Sequence, residues 1–218
     1  MPSVSHRGDN AFSSPIRKLA AAAERAKRDG KKVYHLNIGQ PDIHTPENAL
    51  RAVREAHIDI LAYSPSQGHA PYREKLPAYY QKYGVDITPD DILVTSGASE
   101  GILFTLLACL DKGQSVLSPE PLYANYIGFA GMADVHVKPI TTEIGQGFHL
   151  PGIADFQRAL TPDVKAILLC NPNNPTGTLY PEKTLRAIGE LVLEHDLYLI
   201  VDEVYREFCY GDPSDFFS

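Results

Sequence analysis

Val164-Lys165-Ala166-Ile167-Leu168-Leu169-Cys170-Asn171-Pro172-Asn173-Asn174-Pro175-Thr176-Gly177 is an apolar run that ends abruptly in asparagines and prolines. The pattern repeats when Leu197-Tyr198-Leu199-Ile200-Val201 gives way to Asp202-Glu203-Val204-Tyr205. Short continuous apolar runs of this kind are strands buried on both faces of a parallel sheet. In such sheets ligands bind at the carboxyl ends of the strands. The two stretches therefore offer an amide, a carboxylate and a phenol to one small molecule.

Working outward, the same alternation recurs from Asp91 onward. Strands are predicted at Ile92–Thr95, Ser115–Ser118, Val135–Pro139, Val164–Cys170 and Leu197–Val201. Helices are predicted at Ser99–Leu110, Leu122–Ala130, Ile153–Leu160 and Pro181–His195. Alternating β and α units give an α/β fold, a mainly parallel sheet sandwiched by helices. Before Asp91, residues 1–13 read as a mobile arm. Ser14-Pro15 then supplies a cap and first-turn proline for a helix over Ala20–Lys27 that Gly30 closes. A strand is predicted at Val33–Ile38, a helix from Thr45-Pro46 to about His57, and another over Pro71–Tyr83 closed by Gly84, with Pro77 disturbing its first turns. Thr141–Leu150 and Gly211–Ser218 read as loops. Asp212–Ser218 carries two exposed-looking aromatics and no closing element, so the chain is expected to stop inside a larger domain.

At 218 residues, 44% of them hydrophobic, the chain is long enough for a full core. A net charge of -7 disfavours nucleic acid or an anionic membrane surface as partner. Cys109, Cys170 and Cys209 are too few and too scattered for a disulfide framework or a Cys-x-x-Cys metal site, which fits a reducing cytoplasm. No metal site is expected: the histidines lack ligand spacing. No apolar run is long enough to span a membrane, and the polar N-terminus is unlike a signal peptide.

Thr95-Ser96-Gly97-Ala98-Ser99-Glu100-Gly101 lies at a strand-to-helix turn whose small residues would let backbone N–H groups approach an anion. It reads either as a phosphate cradle or as a tight turn with Ser99 as N-cap; it is neither a P-loop nor a GxGxxG fingerprint. Asn171–Gly177 reads as a ligand loop or a proline-rigidified turn. Asp202, directly after apolar residues, reads as a half-buried carboxylate awaiting a cation or as a helix cap. Tyr205 follows Asp202 by about one turn, and Tyr123 reads as a ring-stacking residue or as core packing. Together they suit a planar, phosphorylated heteroaromatic with a basic ring nitrogen.

In this order, with Asn37-Ile38-Gly39-Gln40-Pro41-Asp42, Thr45-Pro46, Tyr63, Gly68 and Pro119–Tyr123, the motifs resemble the fold-type I pyridoxal-phosphate enzymes, specifically class I/II aminotransferases of the aspartate aminotransferase kind. The resemblance implies pyridoxal 5'-phosphate as cofactor and exchange of an amino group between an amino acid and a 2-oxo acid. Gly97, Ala98 and Ser99 would lie at the phosphate and Tyr123 would stack on the pyridine. Asn174 and Tyr205 would hydrogen-bond the ring's phenolic oxygen, and Asp202 would pair with the ring nitrogen. Such charge-assisted bonds are worth about 1.5 to 3 kcal/mol each, one to two decades in rate. Tyr63 would reach a neighbouring subunit's phosphate in a homodimer, and Gly39, with Asn174, would line the substrate carboxylate pocket. Residues 1–44 would be the arm and part of a small domain, and 45–218 the cofactor-binding large domain.

The sequence departs from that family in one respect. The lysine that holds the cofactor, expected in a Ser-x-Ser-Lys stretch beyond the Asp-x-x-Tyr segment, is not here, since no lysine follows Lys183. The 218 residues alone are expected not to bond covalently to the cofactor and to be poorly soluble. The shared cofactor residues also leave open another fold-type I chemistry, a carbon-sulfur lyase or decarboxylase, or a non-catalytic ligand-sensing module. The resemblance leaves the amino donor to the arm near Ile16, to the partner subunit and to residues further along.

Overall fold

The computed structural model describes residues 2–9, 18–37, 39–211 and 216–218. Its helices are α1 His6–Asp9, α2 Ala20–Arg28, α3 Glu47–Arg54, α4 Ala70–Arg73, α5 Leu76–Tyr80, α6 Ala98–Cys109, α7 Asn125–Met132, α8 Ile153–Ala159 and α9 Glu182–Glu194. Its strands are β1 Ser115–Glu120, β2 His136–Thr141, β3 Val164–Cys170 and β4 Tyr198–Asp202.

β3 keeps the bounds the sequence predicts and is buried almost throughout. Every pairing is parallel, in the order β2-β1-β3-β4. Ala166, Leu168 and Cys170 join Val116 and α6 and α7 residues in one core, whereas Ile167 and Leu169 join Leu117 and α8 and α9 residues in a second. Alternate side chains of one strand thus enter two helix layers, which is why its sequence is apolar without a break. The chain steps outward from β1 to β2, then returns across β1 to β3 and on to β4. That reversal opens a crevice between the carboxyl ends of β1 and β3, where a doubly wound sheet binds its ligand.

Two predicted strands are absent from the sheet. Of the strand predicted at Val33–Ile38, residues 33–37 form no ladder and Leu36 is 96% exposed, while Ile38 lies outside the described residues; Ile92–Thr95 forms no ladder either. A ladder needs a run of paired backbone groups, and among the described residues the Ile92–Thr95 segment shows a single backbone bond to a distant segment, from the Val94 N–H to the Gln67 carbonyl at 3.0 Å. The predicted Pro71–Tyr83 helix is broken into α4, α5 and a 3₁₀ turn ending at left-handed Gly84. Pro77, at the start of α5, has no N–H to continue the ladder. Ser14-Pro15 and Ile16 lie outside the described residues, as do Asp212–Asp215. β4 forms an open edge with Tyr198, Leu199 and Val201 exposed.

The last aromatics are not exposed. Phe216 is 9% exposed and meets Tyr83 edge-on, and Phe217 lies under Arg186. Phe216 also completes a cage of Tyr79, Tyr80 and Tyr83 around the Arg206 guanidinium, with centroids 4.7–5.8 Å away. Arg206 is ion-paired to Glu203, and Glu207 accepts the Tyr79 and Tyr83 hydroxyls at 2.5 and 2.6 Å. Those bonds push the Tyr83 phenol up to about 12. The cluster clamps the segment after β4 onto α5.

At the opposite end of the sheet, Asp163 accepts from Lys138 (2.8 Å), Ser115 (2.5 Å) and Thr161 (2.7 Å), joining the starts of β1 and β3 to β2. The Lys138 ammonium, then the two hydroxyls, hold the Asp163 carboxyl far below its ordinary range. A depressed folded-state value means the stabilisation is complete above the ordinary carboxylate range and is lost as pH falls through the folded value. Lys138→Met is therefore expected to move the acid-unfolding midpoint, followed by circular dichroism, to higher pH while leaving stability at pH 7 lowered but the fold intact.

Candidate functional site

Three strand ends and one helix start converge on a cavity of about 200 Å³ lined by Ala98, Ser99, Ile102, Tyr123, Tyr126, Cys170, Asn174, Asp202, Val204 and Tyr205. Tyr123 follows β1, Asn174 follows β3, Asp202 closes β4, and Ala98 and Ser99 open α6.

Gly97 precedes α6 with φ +81°, a left-handed conformation that glycine adopts without strain, and serves as its N-cap. Ser99 is therefore the second helical residue and not the cap. The N–H groups of Ala98 and Ser99 lie in the first turn, where no carbonyl of the helix can accept them. The Ser96 N–H is already taken by the Glu100 carboxylate at 2.6 Å.

The asparagines of the loop divide the work. Asn171 is fully buried and accepts the Tyr180 N–H; Asn173 donates to the Pro121 carbonyl and to Thr176. These two hold the loop. Asn174 alone turns toward the cavity, where its amide donates to the Tyr205 hydroxyl at 3.1 Å. With its oxygen accepting, the Tyr205 O–H is left to donate outward. Burial, then the neighbouring Cys170 and Asp202, raise the Tyr205 phenol above its usual range, so it stays a donor at neutral pH.

Asp202 is half-buried. Its Oδ2 accepts the Tyr126 hydroxyl at 2.6 Å, and its Oδ1 accepts the Val204 N–H at 3.2 Å. Among the described residues no cation pairs with it. Cys170 lines the floor, its thiol pushed up to about 11 by burial and the Asp202 charge. The arrangement is a carboxylate, an aromatic ring, two side-chain donors and helix N–H groups gathered around one cavity. It suits a flat ring with a protonated nitrogen, an anionic oxygen and a phosphate, which is the donor set pyridoxal 5'-phosphate requires.

The structure thus brings together Ala98, Ser99, Tyr123, Asn174, Asp202 and Tyr205 of the predicted site, with Gly97 shaping the turn. Gly39 and Tyr63 do not line the cavity; both are exposed, Tyr63 at 105%. Tyr126 and Cys170 were not legible as site residues. Tyr126 stands one helical turn after Tyr123 in the same segment, and that spacing was the available signal.

A model of the class I and II aminotransferases matches residues 31–218. The chain belongs to this family. A probable aspartate/prephenate aminotransferase of Thermus aquaticus is 34% identical over 215 residues, 96% of this chain and 55% of that protein. A crystal structure of an aspartate aminotransferase from Thermotoga maritima superposes with a TM-score of 0.90 at 31% identity, covering 99% of this chain and 57% of that one. An alanine aminotransferase from Pyrococcus furiosus gives 0.89 at 32% identity, covering 99% and 55%. This aminotransferase-family chain spans about half the length of the curated relatives it matches. Among its described residues no helix is long and apolar enough to cross a membrane.

Proposed function

We propose that these residues form the cofactor-holding part of a pyridoxal-phosphate-dependent aminotransferase that exchanges an amino group between an amino acid and a 2-oxo acid. The observation that carries the proposal is the Asp202 carboxylate, held by Tyr126 and Val204 and given no cation among the described residues, facing a cavity that also receives Tyr123, Asn174, Tyr205 and the start of α6. Family membership and aminotransferase relatives support it.

When bound, pyridoxal phosphate supplies an aldehyde that takes up the amino group and a ring that accepts electron density as the α C–H bond breaks. Asp202 keeps a proton on the ring nitrogen, where a buried carboxylate favours the cation. Asn174 and Tyr205 donate to the ring oxygen. Tyr123 covers a ring face and excludes water, and the Ala98 and Ser99 amides hold the phosphate against the positive end of α6. Asn174 and Gly39 are assigned to the substrate carboxylate. Among the described residues no lysine lines the cavity, and none is given the proton transfer at the α-carbon. Residues 45–218 are assigned to the cofactor domain and 1–44 to an arm and the start of a second domain. Exposed Tyr63 is assigned to a partner subunit's phosphate in a homodimer, and the three free thiols fit a cytoplasmic protein.

The test is transfer of label. The natural full-length protein, given a ¹⁵N-labelled amino acid and an unlabelled 2-oxo acid, is expected to yield the ¹⁵N-labelled amino acid corresponding to that oxo acid. Release of labelled ammonia or of carbon dioxide without transfer would refute it.

A further inference from the structure

Tyr126 is among the largest fully buried side chains of the protein, at 1% exposure, yet it carries a hydroxyl. A buried hydroxyl without a partner is destabilising by roughly 1–3 kcal/mol, so its placement has to answer to something. It points at Asp202 Oδ2, 2.6 Å away and 76 residues further along the chain. The ring is fixed on its other sides. Tyr123 meets it edge-on with centroids 5.4 Å apart and planes at 86°, and Ile102, Leu106, Ala130 and Cys170 share its core. The Tyr123 hydroxyl is itself held by the Asn125 amide at 2.7 Å.

The consequence for Asp202 is geometric. Val204 N–H fixes Oδ1 from the chain's own turn, and Tyr126 fixes Oδ2 from α7, so the plane of the carboxylate is set by two elements and cannot rotate away from the cavity. Burial, then the Cys170 and Asp202 charges, raise the Tyr126 phenol far above its ordinary range. The phenol is therefore neutral throughout the physiological range and donates to the carboxylate without adding a competing anion.

We propose that Tyr126 is a positioning residue that acts through Asp202, aiming that carboxylate at the protonated ring nitrogen of the cofactor. The inference rests on the cofactor site proposed above. One short segment, Tyr123–Tyr126, then does two jobs, with its first ring facing the cofactor and its second bracing the residue that charges it.

The test uses two ligands on the natural full-length apoprotein, measured by titration calorimetry. Pyridoxamine 5'-phosphate has the ring nitrogen and binds without covalent attachment; its 1-deaza analogue carries a ring C–H there instead. Tyr126→Phe is expected to weaken pyridoxamine phosphate binding about ten- to thirtyfold, the lower part of the range for losing a hydrogen bond to a charged group. Binding of the deaza analogue is expected to change less than twofold. In an Asp202→Asn background the same substitution is expected to change pyridoxamine phosphate binding less than twofold. Tyr126→Met, which keeps bulk without a ring, is expected to show the same selective loss, since comparing two ligands within one variant cancels a general loss of packing. Equal weakening of both ligands, loss of all binding, or no weakening of either would overturn the proposal. A wild-type protein that binds the two ligands equally well would instead refute the pairing of Asp202 with the ring nitrogen, and that result is read before any variant is made.

Discussion

Asp202→Asn is expected to weaken the binding of pyridoxamine 5'-phosphate to the natural full-length protein roughly ten- to hundredfold, as follows from losing a charge-assisted hydrogen bond. Asparagine has nearly the same shape, and its amide oxygen can still accept from Tyr126, so the fold is expected to survive. What disappears is the negative charge that keeps the ring nitrogen protonated. Transamination is expected to fall further than binding, because the ring's capacity to accept electrons matters most in the transition state. Calorimetry gives the affinity and initial rates give the turnover. Affinity within twofold of the wild type would mean that the carboxylate faces something other than the ring. Tyr205→Phe, which removes one neutral donor while Asn174 remains, is expected to have a smaller effect, below about tenfold.

The second large effect is on stability. Arg206 is 6% exposed, ion-paired to Glu203, and enclosed by four aromatic rings, with no partner for its Nε among the described residues. Replacing it with methionine leaves the largely buried Glu203 without a cation, although the Ser218 hydroxyl remains at 2.8 Å. Breaking one side of a buried pair is destabilising by about 3 to 5 kcal/mol. At a urea slope of roughly 2 to 3 kcal/mol/M, the midpoint is expected to fall by about 1 to 2.5 M. Changing Glu203 to glutamine together with Arg206→Met is expected to restore much of this, because the uncompensated charge is then removed. A midpoint unchanged by Arg206→Met would show that the aromatic cage, and not the ion pair, holds this corner.

The sheet was readable from sequence where burial on two faces demands uninterrupted apolar residues. Val164–Cys170 shows this best, since alternate residues feed separate helix layers. Residues 33–37 and Ile92–Thr95 also read as strands and yet form no ladder among the described residues. Pairing depends on a neighbour, which a run of residues cannot supply for itself. In the site, Asn174, Asp202 and Tyr205 were legible because strand ends announce themselves by a sudden change from apolar to polar. Tyr126 was not, because its hydroxyl takes its meaning from a residue 76 positions away, and tyrosine in an apolar helix reads equally well as packing. The aromatics Phe216 and Phe217 misled in the opposite direction. They look exposed beside Asp212–Asp215 but find Tyr83 and Arg186 through the fold.

The most direct test is a crystal structure of the natural full-length protein grown with pyridoxamine 5'-phosphate. The ring is expected against Tyr123, with its nitrogen at about 3 Å from Asp202, its oxygen at about the same distance from Asn174 and Tyr205, and its phosphate at the Ala98 and Ser99 amides. A ligand bound elsewhere, or one seated here with its ring nitrogen turned away from Asp202, would contradict the assignment of this cavity.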